Sequence, residues 1–150
     1  CYKMHQVEFS SFADEKKLIF RFALPKVVVR SDFDLVARVL RNLISNAINY
    51  TTSGEVSASG DVVDGELFIS VCDTGRGIAD ADHERIFDAF VQLEAMPGVS
   101  KTGIGVGLSI VKHIDDLLDL RLQVKSSPGV GTTMRFCLPT SVEQSNVLPR

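Results

Sequence analysis

Gly103-Ile104-Gly105-Val106-Gly107 runs straight into an apolar segment with helical spacing. Glycines allow positive φ and bring backbone amides close to a ligand. A helix start adds unpaired N–H groups and a partial positive charge. Together these suit a phosphate group. The segment is not a P-loop, because no Gly-Lys-Ser/Thr follows it. It is not a dinucleotide fingerprint, because Ile110 stands where the third glycine belongs and no strand leads directly in. A flexible hinge would use the same residues.

Two further groups have matching chemistry. Asp73-Thr74-Gly75-Arg76-Gly77 ends an apolar run. A carboxylate there can accept a hydrogen bond from an exocyclic amine such as adenine N6. The glycines would let the chain wrap a base edge, although an ordinary turn has the same make-up. Asn42 and Asn46 are spaced i and i+4, so they share a helix face beside an apolar stripe. An amide oxygen is a hard ligand suited to Mg²⁺, which also takes phosphate oxygens and keeps several waters. Two solvated asparagines would show the same spacing.

The elements that must position these groups follow from periodicity and turn signals. Phe9, Phe12 and Ala13 have helical spacing between Tyr2 and Lys16. Leu18 to Leu24 reads as a strand ended by Pro25, and Lys26 to Arg30 as a short valine-rich strand. Ser31-Asp32-Phe33-Asp34 resembles a capping box with Asp in place of Glu, so a helix is expected to about Tyr50. Val36, Val39, Leu40, Leu43, Ala47 and Tyr50 form its apolar stripe, and Ser53-Gly54 breaks it. Val56 to Val63 and Glu66 to Cys72 are strands joined at Asp64-Gly65, a strong hairpin signal. A short helix is expected within Asp80 to Phe90, a loop over Leu93 to Thr102, and a helix over Val106 to Leu118. Leu120 to Ser126 and Thr133 to Leu138 are strands around a Pro128-Gly129-Val130-Gly131 turn. The sum is an α+β two-layer sandwich: a mixed sheet with about three larger helices on one face. Residues 1–140 form one domain, and 141–150 are a loose tail or the start of a linker.

Composition narrows the function classes. With 45% hydrophobic and 23% charged residues, the 150-residue chain reads as globular and not disordered. Its net charge of −3, with Lys and Arg scattered, argues against a nucleic-acid surface. An anion held by backbone amides needs no charge excess, so that class stays open. Cys1, Cys72 and Cys137 give neither a disulfide framework nor a CxxC metal spacing, as expected of free thiols in the cytoplasm. No apolar run approaches the ~20 residues of a membrane span, and direct membrane contact is not expected. The chain begins at Cys1 without an initiator methionine, which points to an excised fragment.

The three groups occur in a fixed order with others. Asn42-Leu43-Ile44-Ser45-Asn46-Ala47 comes first, then Asp73-Thr74-Gly75-Arg76-Gly77-Ile78 and Ile86-Phe87-Asp88-Ala89-Phe90. Gly103 to Gly107 with Leu108-Ser109-Ile110-Val111-Lys112, and Gly129-Val130-Gly131-Thr132, follow. From about Asp32 to Pro139 the chain resembles the ATPase domain of sensor histidine kinases, with its N, G1, F, G2 and G3 boxes. The resemblance implies the Bergerat-type sandwich shared with gyrase, heat-shock chaperones and mismatch-repair ATPases. It implies ATP and Mg²⁺ as ligands. Asp73 would bind adenine N6, with Thr132 nearby through water, and Tyr50, Gly75, Gly77 and Ile78 would shape the base site. Asn46 would hold Mg²⁺ and Asn42 would face the phosphates. Gly103, Gly105, Val106, Gly107 and Leu108 would cradle the phosphate chain. Leu93 to Thr102 would be the ATP lid, mobile without nucleotide, with Lys101 and Thr102 near the phosphates and Phe87 and Phe90 anchoring its near end.

Two positions qualify that picture. The family usually has Lys where this chain has Asn49, so a phosphate-facing cation is replaced by a neutral amide. Hydrolytic relatives carry a water-activating Glu where this chain has Asn42, which cannot act as a base at neutral pH. The site is therefore expected to place ATP for a nucleophile brought from outside. The acceptor histidine should precede this domain; none of His5, His83 and His113 has the right context. The expected partners are a phosphoacceptor helical domain of the same or a sister chain and a downstream response regulator. A nucleotide-sensing or scaffolding module, favoured by Asn49, and a self-sufficient ATPase are the alternatives.

Overall fold

The computed structural model describes residues 10, 13–15, 17–88 and 107–140. The elements are β1 (Ile19–Ala23), α1 (Phe33–Tyr50), β2 (Glu55–Val63), β3 (Glu66–Asp73), α2 (Gly107–Leu118), β4 (Gln123–Ser127) and β5 (Gly131–Pro139). Two 3-10 turns, Asp80–Asp82 and Arg85–Phe87, lie between β3 and α2. The five strands form one sheet in the order β1-β2-β3-β5-β4. β1 and β2 pair in parallel across the α1 crossover, and the other neighbours are antiparallel.

One sheet face is apolar and both helices cover it. Alternate residues Val56 and Ala58, Leu67, Ile69 and Val71, and Met134, Phe136 and Leu138 are buried, as period-two strands require. Against them pack Val39, Leu43, Ile44, Ala47 and Ile48 of α1, with Val111 and Ile114 of α2. Ile44 and Ile48 widen the stripe read from the sequence. Phe136, 1% exposed, is the largest side chain fully enclosed, and its burial alone stabilises by about 1.5–3 kcal/mol.

Several local expectations need correction. The cap of α1 is Asp32, not Ser31: Asp32 Oδ1 accepts from Leu35 N at 3.0 Å. The helix end at Tyr50 is as read, and there the buried Thr51 hydroxyl donates to the Ala47 carbonyl at 2.7 Å. Lys26 to Arg30 makes only an isolated bridge between Val29 and Thr140. The helix expected within Asp80 to Phe90 is the pair of 3-10 turns. β4 begins at Gln123 because Asp119 and Arg121 take positive φ and the Asp115 carboxylate accepts from Leu122 N at 3.2 Å. The Asp64-Gly65 hairpin forms as read, with both residues at positive φ as a type I′ turn demands. The first expected helix, apart from Ser10 and Ala13–Glu15, and the tail 141–150 lie outside the described residues.

Candidate functional site

The antiparallel register of β3 and β5 places Asp73 directly opposite Thr132. The same row continues to Ser126 on β4. Asp73 has the parity of Leu67, Ile69 and Val71, so it faces the helix layer, but at the strand end where the core opens. Its Oδ1 accepts from Gly75 N at 2.9 Å. Burial pushes its carboxyl above the usual carboxylate range, against the pull of the Gly75 and Thr132 backbone N–H groups. A partly desolvated carboxylate with remaining acceptor capacity is suited to an amine donor from a ligand. Ser126 Oγ lies 2.7 Å from Thr132 Oγ1 and also donates to the Gly131 carbonyl at 3.0 Å.

The loop after Asp73 is held by the β4–β5 turn. Gly129 N donates to the Arg76 carbonyl at 2.8 Å, and Ile78 N donates to Ser126 Oγ at 2.7 Å. Gly77 has φ +72, and a β-carbon there would run into the Ser127 carbonyl. The Arg76 guanidinium lies over the Tyr50 ring, 5.1 Å from its centroid, and so ties this loop to the end of α1.

One cleft collects these groups. Asn46 and Tyr50 of α1, Asp73, Gly77 and Ile78, Thr132 of β5, and Gly107 and Leu108 at the start of α2 all line it. Asn42 borders it, since a β-carbon at position 107 would sit 3.8 Å from Asn42 Oδ1. Gly75 lies behind Asp73, where a β-carbon would press on the Tyr50 carbonyl at 2.6 Å. Asn49 is partly buried and is not among the lining residues. The helical repeat accounts for this: Asn42 and Asn49 share one stripe, while Leu43, Asn46, Ala47 and Tyr50 make up the adjacent stripe that forms the wall. Lys101, Thr102, Gly103, Gly105 and Val106, with Phe90 and the rest of the expected lid, lie outside the described residues.

Sequence reasoning missed part of the lining. Arg76 and the apolar Leu43, Ala47, Val71, Ile86 and Met134 also face the cleft. The apolar ones carry only a core signal in the sequence. Phe87 packs partly buried against the core. His83 is half-buried with Nε2 3.3 Å from the Ile78 carbonyl, and His113 is exposed on α2. Cys72 and Cys137 are free thiols.

The cleft thus has an apolar lining with distinct polar ends. One end has Asp73, Thr132 and Tyr50. The other has Asn42 and the first turn of α2, where the helix dipole favours an anion. Along α1, Tyr50 and Asn42 are about 12 Å apart. A planar base with an anionic tail matches both ends. The donor set fits Mg²⁺ only together with ligand oxygens. Asn46 offers one hard amide oxygen, and among the described residues no group of three His, Cys, Asp or Glu side chains could hold a metal ion.

Comparison with known proteins gives the family. Residues 31–142 match the family model of histidine kinase-, DNA gyrase B- and HSP90-like ATPases. The autoinducer 2 sensor kinase/phosphatase LuxQ of Vibrio cholerae is 34% identical over 82% of this chain and 15% of its own length. The sensor-like histidine kinase SenX3 of Mycobacterium bovis is 39% identical over 77% of this chain and 28% of its own. The chain therefore spans less than a third of either relative. The crystal structure of full-length ShkA in complex with AMPPNP superposes with a TM-score of 0.77 at 28% identity. That match covers 92% of this chain and 29% of ShkA. The chain belongs to the histidine kinase-, DNA gyrase B- and HSP90-like ATPase family, as an ATP-binding catalytic domain of the histidine-kinase kind.

Proposed function

We propose that this domain positions Mg-ATP for transfer of the γ-phosphoryl group to a histidine on a separate helical domain, of the same or a sister chain. In this reading Asp73 reads the adenine amine, Thr132 supports it, and Tyr50, Gly77 and Ile78 bound the base. Gly107 and Leu108, with Gly103, Gly105 and Val106 before them, cradle the phosphates, joined by Lys101 and Thr102. Asn46 holds Mg²⁺ and Asn42 faces the phosphate chain. Mg²⁺ would supply charge neutralisation across the phosphate oxygens. Because ATP is the donor, the reading puts the domain in the cytoplasm and a response regulator downstream of the phosphohistidine. No helix among the described residues is long and apolar enough to cross a membrane.

The observation that carries the proposal is the distribution of carboxylates. Asp73 is the only one among the described lining residues, and it stands at the base end. The amides of Asn42 and Asn46 occupy the phosphate end and cannot take a proton from water at neutral pH. Such a site orients a donor and leaves the nucleophile to come from elsewhere. The test is to mix this chain with radiolabelled ATP, Mg²⁺ and the helical domain of its own protein. Acid-labile label on a histidine is expected. ATP binding without such label would defeat the transfer reading, and steady hydrolysis by the chain alone would favour a self-sufficient ATPase.

A further inference from the structure

We propose that Arg76, stacked on Tyr50, is a specificity-determining residue that binds the nucleoside part of the nucleotide and not its phosphates. The inference rests on the ATP reading of the cleft given above.

Arg76 is the single cation among the described residues that line the cleft. Charge alone would assign it to the triphosphate. Its position assigns it elsewhere. The residue sits between Gly75 and Gly77, in the loop that follows Asp73. Its carbonyl is fixed by Gly129 N at 2.8 Å, which pins this loop to the β4–β5 turn. Its guanidinium lies 5.1 Å from the centre of the Tyr50 ring. Tyr50 is the last residue of α1, and Asn42, which borders Gly107, lies two turns away toward the helix start. The phosphate end of the cleft is therefore about 12 Å along the helix from the stacked pair.

Chemistry supports the same assignment. A guanidinium is planar, weakly hydrated and stacks on aromatic faces. Set over the Tyr50 ring, it lines the cleft together with the apolar side chains of Val71, Ile86 and Met134. A purine in this cleft meets the guanidinium plane and apolar contacts, while Asp73 takes the amine. The N–H groups of Arg76 also suit ribose hydroxyls. Lysine, a compact charge without a plane, should not replace it.

The test is a nucleotide ladder. Affinities of AMP, ADP and ATP are measured by calorimetry for the wild-type chain, Arg76→Ala, Arg76→Lys, Tyr50→Leu and the double variant Tyr50→Leu with Arg76→Ala, with melting temperatures confirming that each variant is folded. Arg76→Ala should weaken all three nucleotides by the same factor, about threefold to tenfold. Arg76→Lys should recover little of that loss. In a Tyr50→Leu background the further loss from Arg76→Ala should shrink, because the stack is already broken. A loss that grows from AMP to ATP, or is erased by salt, would assign Arg76 to the phosphates and overturn the proposal. Unchanged affinities would overturn it too. Failure of the wild-type chain to bind any of the three would instead sink the nucleotide reading itself.

Discussion

At the scale of single residues, Asp73 is held partly desolvated at a cost to stability. Burial holds its carboxyl above the ordinary range, so the folded chain binds that proton more tightly than the unfolded chain. Stability from this group is greatest below the unfolded pKa and falls as pH rises through the folded one. Asp73→Asn removes the dependence while keeping an oxygen for Gly75 N. At neutral pH and without nucleotide, the variant should melt at or above the wild-type temperature, and the gap should close as the solution is acidified past the carboxylate range. Its ATP affinity should fall by about 1–3 kcal/mol. Calorimetric melting across the acid range checks the first part; a variant less stable at neutral pH would mean that the carboxylate is well paired and unstrained. Asp73 and Asn46 stood out in the sequence because each is a polar residue at the end or flank of an apolar pattern, whereas Thr132 came only from the resemblance to the family; the fold sets all three on one cleft. Arg76 did not stand out, since between two glycines it reads as a turn residue. Its role depends on Tyr50, which only the folded helix brings beside it.

At the scale of elements, the strongest sequence signals were those with a local physical cause. The Asp64-Gly65 hairpin needs only two residues at positive φ, and it forms where it was read. The body of α1 follows its apolar stripe. Its start moves by one residue, because Asp32 and Ser31 compete for the same orphan N–H groups and Asp32 takes Leu35 N. Asp32→Ala should therefore cost about 1 kcal/mol in chemical unfolding, while Ser31→Ala should cost almost nothing. Equal losses from the two would show that the cap is shared. The elements that differ from expectation depend on tertiary partners. Lys26 to Arg30 packs Val27 and Val29 on the core, but its strand pairing among the described residues is limited to the Val29–Thr140 bridge, with Arg30 N reaching the Pro139 carbonyl at 3.0 Å. Asp80 to Phe90 has helical spacing, yet in its described part, residues 80–88, Ile86 lines the cleft and the chain takes 3-10 turns.

At the scale of the whole molecule, the sandwich was readable from the alternation of hairpin and crossover signals. The strand order was not, because β5 inserts between β3 and β4, and nothing in its composition marks it as central. That insertion shapes the cleft. It sets Thr132 beside Asp73 and brings the β4–β5 turn over the loop that carries Arg76. The helices then close the slot from one side, so the layer that buries the core also lines the cleft. The most direct test is calorimetric titration of the chain with a non-hydrolysable ATP analogue, with and without Mg²⁺, beside Asp73→Ala and Asn46→Ala. Saturable 1:1 binding is expected, weakened by Asp73→Ala under both conditions and by Asn46→Ala chiefly when Mg²⁺ is present. Absence of binding at millimolar analogue, or binding indifferent to both substitutions, would contradict the account.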